Sequence, residues 1–181
     1  MIMIMCMGAF TQMLSTYGEA RRLDAGSYLF HAGDLVDHIH LIATGGVSLE
    51  RLQTSGTVTC FQRAGPGAIL AEASLYSERY HCDARVTAGC QVYRMAKRDV
   101  LARIDADPTL ARDWAAYLAR AVQHARLTAE IRGLKTVGAR LDAWLDAFGP
   151  LPAKGEWMQL AHELAVSREA LYRELAARRQ G

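Results

Sequence analysis

The hydrophobic rhythm of this chain changes at Pro108, and no single kind of regular structure suits both halves. Before it, the short apolar runs "SYLF", "HIHLIA", "VSLERL", "VTCFQ" and "CQVYRM" alternate with the glycine-bearing breaks "AGD", "TGG", "TSG", "AGPG" and "TAG". Short runs punctuated by glycine predict a small all-β barrel or sandwich over residues 24–96. After it, Pro108 suits a first helical turn and Asp107 a cap. Leu110, Trp114, Tyr117, Ala121, His124, Thr128 and Ile131 then recur at spacings of 4, 3, 4, 3, 4 and 3. That is a heptad seam, predicting one helix to about residue 134.

Such a helix extends roughly 40 Å at ~1.5 Å per residue. A barrel of the length available here cannot bury it, so a second copy of the helix is its expected cover. The alternative is one amphipathic helix lying on its own barrel. A further helix is expected at "VGARLDAWLDAF", then a break at "GPLPAKG". In "EWMQLAHELAVSREALYRELAARRQG", Leu160, Ala161, Leu164, Val166, Leu171 and Leu175 predict two helices joined by a tight turn near Ala165–Val166. Ser167 is the expected N-cap of the second, which carries Arg168, Arg173, Arg178 and Arg179. A helical hairpin and a DNA-reading helix-turn-helix both fit this pattern.

Composition narrows the chemistry. A net charge of +2 excludes a strongly basic protein, so any nucleic-acid contact must come from a local patch. The four cysteines, Cys6, Cys60, Cys82 and Cys90, form neither a disulfide framework nor a CxxC pair, which fits a reducing, cytoplasmic setting. The start "MIMIMCMGAF" is too short to span a bilayer and lacks a basic flank, so no membrane association is expected. It reads as a partly buried N-terminal segment, with Met1, Met3, Met5 and Met7 as alternative starts. No nucleophile–base pair, P-loop or zinc-protease motif is present, and the chain is not expected to be an enzyme.

The order β-rich domain, long heptad helix and paired short helices resembles the Crp-Fnr family of bacterial transcription regulators. "LFHAGDLVDHIHLIATGGVSL" (29–49) is similar to the family's β-roll, and "GPGAILAEASLY" (65–76) to the start of its phosphate-binding cassette. Residues 108–141 match its dimerisation helix and hinge in length, and "LAHELAVSREALYREL" (160–175) carries its Ser-Arg-Glu-x-x-x-Arg recognition helix. The resemblance covers about 24–181 and implies an α+β fold. A β-roll sensor would occupy 1–107, a dimerisation helix 108–135 and a helix-turn-helix domain 136–181. It also implies a homodimer through 109–134, a palindromic double-stranded DNA site and RNA polymerase as a partner. Ser167 would contact phosphate, and Arg168, Glu169 and Arg173 would contact base edges.

In the family's cyclic-nucleotide-binding members, a Gly-Glu pair holds the ribose and a later Arg with a hydroxyl residue holds the phosphate. Alignment on that cassette keeps Glu72, but the glycine becomes Ala71 and the Arg and hydroxyl positions become Cys82 and Asp83. Cys82 supplies no cation, and an ionised Asp83 opposes an anion. Arg79 and Arg85 are the nearby cations should the loop register differ. On the dimer helix the positions expected to reach the base are Ala125 and Arg126 rather than a small hydroxyl pair. Glu72, Cys82, Asp83, Ala125 and Arg126 are therefore the effector-pocket candidates, and cyclic AMP is not the expected effector.

His81, Cys82 and Asp83 are consecutive, and on a strand they cannot all face one metal ion, so none is expected there. His31, His38 and His40 show no metal spacing. A haem ligand or a redox thiol stays open, as does a buried structural cysteine. The iron–sulfur branch of the family needs several N-terminal cysteines where only Cys6 stands. The family usually follows its recognition helix with a β-hairpin wing, whereas this sequence stops at Gly181. Fewer phosphate contacts imply weaker, less salt-sensitive DNA binding. The leading expectation is a regulator sensing a small effector or redox state. The alternative is a binding or adaptor protein that no longer reads DNA.

Overall fold

Two of the glycine-marked breaks are not turns in the computed structural model, which describes residues 8–180. "HIHLIA" and "VSLERL" belong to one strand, β3 (His38–Leu52), and Thr87–Gly89 lies inside another, β6 (Asp83–Ala96). The two pair antiparallel from His38↔Ala96 to Glu50↔Asp83, and the register shifts around Thr44–Val47 absorb the glycines as bulges. Gly45 has φ +84°, and a Cβ there would lie 2.4 Å from the Gly89 carbonyl and 2.5 Å from Cys90 Cβ. Only glycine lets the two strands approach so closely. The expected turn is therefore a crossing point within the sheet.

Four shorter strands complete the sheet. They are β1 (Glu19–Leu23), β2 (Tyr28–Phe30), β4 (Val58–Ala64) and β5 (Ile69–Leu70). The order is β1-β6-β3-β4, with β2 on β6 and β5 on β3, every pair antiparallel. The sheet begins earlier than the sequence reading of 24–96. β1, "EARRL", is almost wholly exposed and lacks the apolar alternation that marks a strand; its pairing with residues 90–94 of β6 recruits it.

Two short helices also escaped the periodicity. α1 (Ala9–Tyr17) buries Phe10, Met13 and Leu14 along one face, and α2 (Lys97–Ala106) buries Val100 and Ile104. The long helix α3 spans Pro108–Gly133, with the Thr109 amide donating to Asp107 Oδ1 at 2.8 Å as the expected cap. The result is an α+β chain.

Two compact units divide it, described over 8–116 and 117–180, with α3 beginning in one and ending in the other. In the first, buried residues such as Ile39, Ile42, Val86 and Val92 form the interior of the sheet. In the second, α4 (Val137–Phe148), α5 (Trp157–Glu163) and α6 (Arg168–Gln180) pack Leu141, Leu160, Leu164, Leu171 and Leu175 around Ile131. Thr136 caps α4 by accepting from the Ala139 amide at 3.1 Å.

The heptad seam is not one continuous free stripe. Leu110 and Trp114 are buried within the first unit and Ile131 within the second, while Tyr117, Ala121 and Thr128 are half-buried and His124 is exposed. The two ends of the seam are thus covered by this chain itself. Val122, 49% exposed, lies on the uncovered middle. The N-terminal stretch read as partly buried, with Met1, Met3, Met5, Cys6 and Met7, lies outside the described residues.

Candidate functional site

Between β5 and β6 the chain makes a short 3-10 turn, Glu72–Ser74, entered through Ala71 at φ +68°. This is the left-handed conformation that glycine adopts without penalty, and here alanine holds it. The turn, β2, β3, β4 and the residues just before β6 border a cavity of about 80 Å³, lined by residues that include Phe30, Leu49, Phe61, Glu72 and Cys82. No Lys or Arg is among its lining residues. Buried Ser74 and exposed His81 also line it, their Oγ and Nδ1 3.1 Å apart.

The three consecutive residues of the His-Cys-Asp run diverge. His81 turns to Ser74. Cys82 is buried against the cavity, and burial pushes its thiol up to about 11, the opposite of what a reactive thiolate needs. Asp83 accepts from the Ala32 amide at 2.9 Å and lies 3.3 Å from His31 Nδ1, so it braces the loop after β2 and is not a lining residue. Among the described residues, no group of three or more His, Cys, Asp or Glu side chains could hold a metal ion.

Glu72, like Cys82, is an expected candidate that does reach the cavity, and burial raises its pKa. This lining holds no Lys or Arg to meet an anion, and the cavity is well below the ~300–1,000 Å³ typical of sites for larger ligands. Ala125 and Arg126 are exposed on the part of α3 that belongs to the second unit. Phe30 stacks on Tyr80 at 3.9 Å, and Tyr80 Oη donates to the His38 carbonyl at 2.8 Å. This aromatic wall was missed in the sequence, because its partners lie far apart along the chain.

In the second unit, α5 ends in a two-bond cap. The Ala165 amide donates to His162 O at 3.0 Å and the Val166 amide to Ala161 O at 2.9 Å, with Ala165 at φ +52°. This is the Schellman arrangement, with alanine at the place glycine usually takes. Arg140 fastens the turn from α4 by donating to the Leu164 and Ala165 carbonyls, each at 3.0 Å. Ser167 Oγ then accepts from the Ala170 amide at 3.1 Å, the expected N-cap.

That cap starts α6 with one face inward and one outward. Leu171 and Leu175 are buried; Ser167, Arg168, Glu169 and Arg173 are exposed. Arg168 lies over the Tyr172 ring at 5.2 Å. The Glu169 carboxyl is held below its usual range by its own backbone amide and by the Ser167 hydroxyl. The two arginines at the end of α6 are occupied within the unit. Arg178 pairs with Asp142 at 2.6 Å and Glu174 at 2.8 Å, and Arg179 covers the Trp157 ring at 5.4 Å.

A family model for the cyclic nucleotide-binding domain matches residues 20–107. The chain is 29% identical over 172 residues to the cyclic AMP receptor protein of Thermus thermophilus, covering 90% of this chain and 77% of that protein. The crystal structure of the Thermus thermophilus catabolite activator protein is similar at 26% identity and TM-score 0.56, over 92% of this chain and 80% of that one. FixK2 from Bradyrhizobium japonicum shares the fold at TM-score 0.69 and 16% identity, over 88% and 83% of the two chains. Among the described residues, no helix is long and apolar enough to cross a membrane. Residues 20–107 thus form a cyclic nucleotide-binding domain, in a chain similar over 90% of its length to the cyclic AMP receptor protein of Thermus thermophilus.

Proposed function

We propose that this chain is a homodimeric, cytoplasmic transcription regulator that reads a palindromic DNA site with α6 and senses an effector other than cyclic AMP. The observation that carries the DNA reading is the outward face of α6. Arg168, Glu169 and Arg173 are exposed together at a capped helix start, and Leu171 and Leu175 anchor the opposite face. A helix presented this way enters the major groove N-terminus first, where Arg pairs with guanine and Glu accepts from cytosine. Arg178, tied to Asp142 and Glu174, is not part of that reading set.

The dimer reading rests on the uncovered middle of α3, where Ala121 and His124 remain of the seam with exposed Val122 beside them. Two copies would set two reading helices about one turn of DNA apart. Contact with RNA polymerase belongs to the same reading. The effector reading rests on the cavity beside Glu72, whose lining offers a cyclic phosphate no cation.

Fluorescence anisotropy on sites selected from random DNA tests the proposal, with wild type and Arg168→Ala/Arg173→Ala compared across a salt series. Tight, salt-sensitive binding of a symmetric site by wild type alone is the expected result. Equal, weak binding by both proteins would sink the DNA reading and leave an adaptor that no longer reads DNA.

A further inference from the structure

The pairing of β3 with β6 runs through Leu49↔Ala84 and ends at Glu50↔Asp83, so Arg51 and Cys82 lie just beyond its last pair. Side chains on a strand repeat every two residues, which puts Arg51 on the same face as Leu49, a lining residue of the cavity. The Arg51 guanidinium carbon lies 5.5 Å from the centroid of the Phe61 ring, which also lines the cavity. Its charge acts on the Cys82 thiol as well, opposing the upward push of burial. Register, ring contact and electrostatics agree on a cation at the rim of a cavity whose lining has none.

We propose that this cavity binds a small oxyanion, with Arg51 of β3 supplying the positive charge that the cavity lining itself lacks. The proposal deepens the sensor reading given above, by naming the class of effector. A guanidinium offers a planar fork of donors that matches two oxygens of a carboxylate, nitrate or phosphate. Ser74 and His81 line the cavity as a hydrogen-bonded pair, and burial of Glu72 works against a competing negative charge there. Of the other nearby carboxylates, Asp83 is engaged by the Ala32 amide and His31, and Glu50 accepts from the Ser48 hydroxyl. The cavity's 80 Å³ corresponds to about three liquid waters at ~30 Å³ each, the scale of a compact anion and not of a nucleotide.

The same oxygen chemistry occurs on a free anion and on a nucleotide phosphate, so the test needs both. The full chain, ¹⁵N-labelled, is titrated with sodium nitrate, acetate, phosphate or cyclic AMP against sodium chloride at matched ionic strength. The amides of Ala73 and Cys82 are followed by NMR. The expected result is saturable shifts with at least one small oxyanion. Affinity should fall about tenfold or more in Arg51→Ala, recover in part in Arg51→Lys, and stay unchanged in Arg63→Ala.

Absence of saturation with every small anion, or saturation indifferent to Arg51→Ala, would overturn the proposal. Saturation by cyclic AMP alone would overturn it in favour of a nucleotide phosphate. None of these titrations contains DNA, so their failure is separable from failure of the α6 reading.

Discussion

Phe10 and Trp114 stack with ring centroids 4.2 Å apart and planes inclined by 25°, joining the first helix to the start of the long one. The Phe10 amide donates to Asp113 Oδ2 at 2.8 Å, so ring and backbone are held by adjacent residues of α3. The rings are 1% and 3% exposed. This contact takes the opening of the heptad seam out of any interface between copies. Removing the Phe10 ring from such a site costs ~3–5 kcal/mol. Phe10→Ala should therefore lower the urea midpoint of the first unit strongly. Asp113→Ala should cost only ~0.5–1.5 kcal/mol, one hydrogen bond. A Phe10→Ala loss below ~1 kcal/mol would mean that α1 does not anchor the helix.

His40 is expected to make the protein acid-sensitive. It is 4% exposed, and burial, followed by the charges of His38 and Arg94, lowers its pKa to about 3. Among the described groups its Nδ1 has no hydrogen-bond partner. An unfolded His titrates near ~6.5, so between that pH and about 3 the unfolded chain binds more protons than the folded one. The stabilising effect of a neutral His40 is complete above ~6.5 and is lost progressively as pH falls, by at most about 4–5 kcal/mol. Urea melts at pH 7, 5 and 4 should show a steep decline in wild type and a shallower one in His40→Leu. Parallel slopes would remove His40 from the acid response.

The turn before α6 carries two opposing predictions. Ala165 occupies a left-handed conformation at φ +52°, so Ala165→Gly should stabilise the second unit, by up to ~1 kcal/mol once the greater chain entropy of glycine is counted. Ser167→Ala removes the acceptor of the Ala170 amide and should destabilise by ~1 kcal/mol. Chemical denaturation of the two variants and the double variant checks both signs. A destabilised Ala165→Gly would mean that the alanine methyl contributes packing that outweighs its strain.

Features fixed within a few residues were legible in the sequence. Asp107 before Pro108 and Ser167 before Arg168 read as caps because a cap needs only its own next turn. The leucines that anchor α5 and α6 read as a core because helical period alone selects their face. Glu72 read as a pocket residue through the family resemblance, and it lines the cavity. What the tertiary structure decided depends on partners distant in the chain. β1 is a strand because β6 pairs with it, although its own residues are polar. Gly45 is a crossing and not a turn because Gly89 and Cys90 come against it. Asp83 leaves the cavity because an amide 51 residues away offers it a hydrogen bond. Arg51 comes to the end of the ladder that leads into Cys82 only through a strand register that no local pattern encodes. Caps and helical period act over one or two turns, whereas ladder pairing and side-chain partnership join residues that only the closed sheet brings within contact distance.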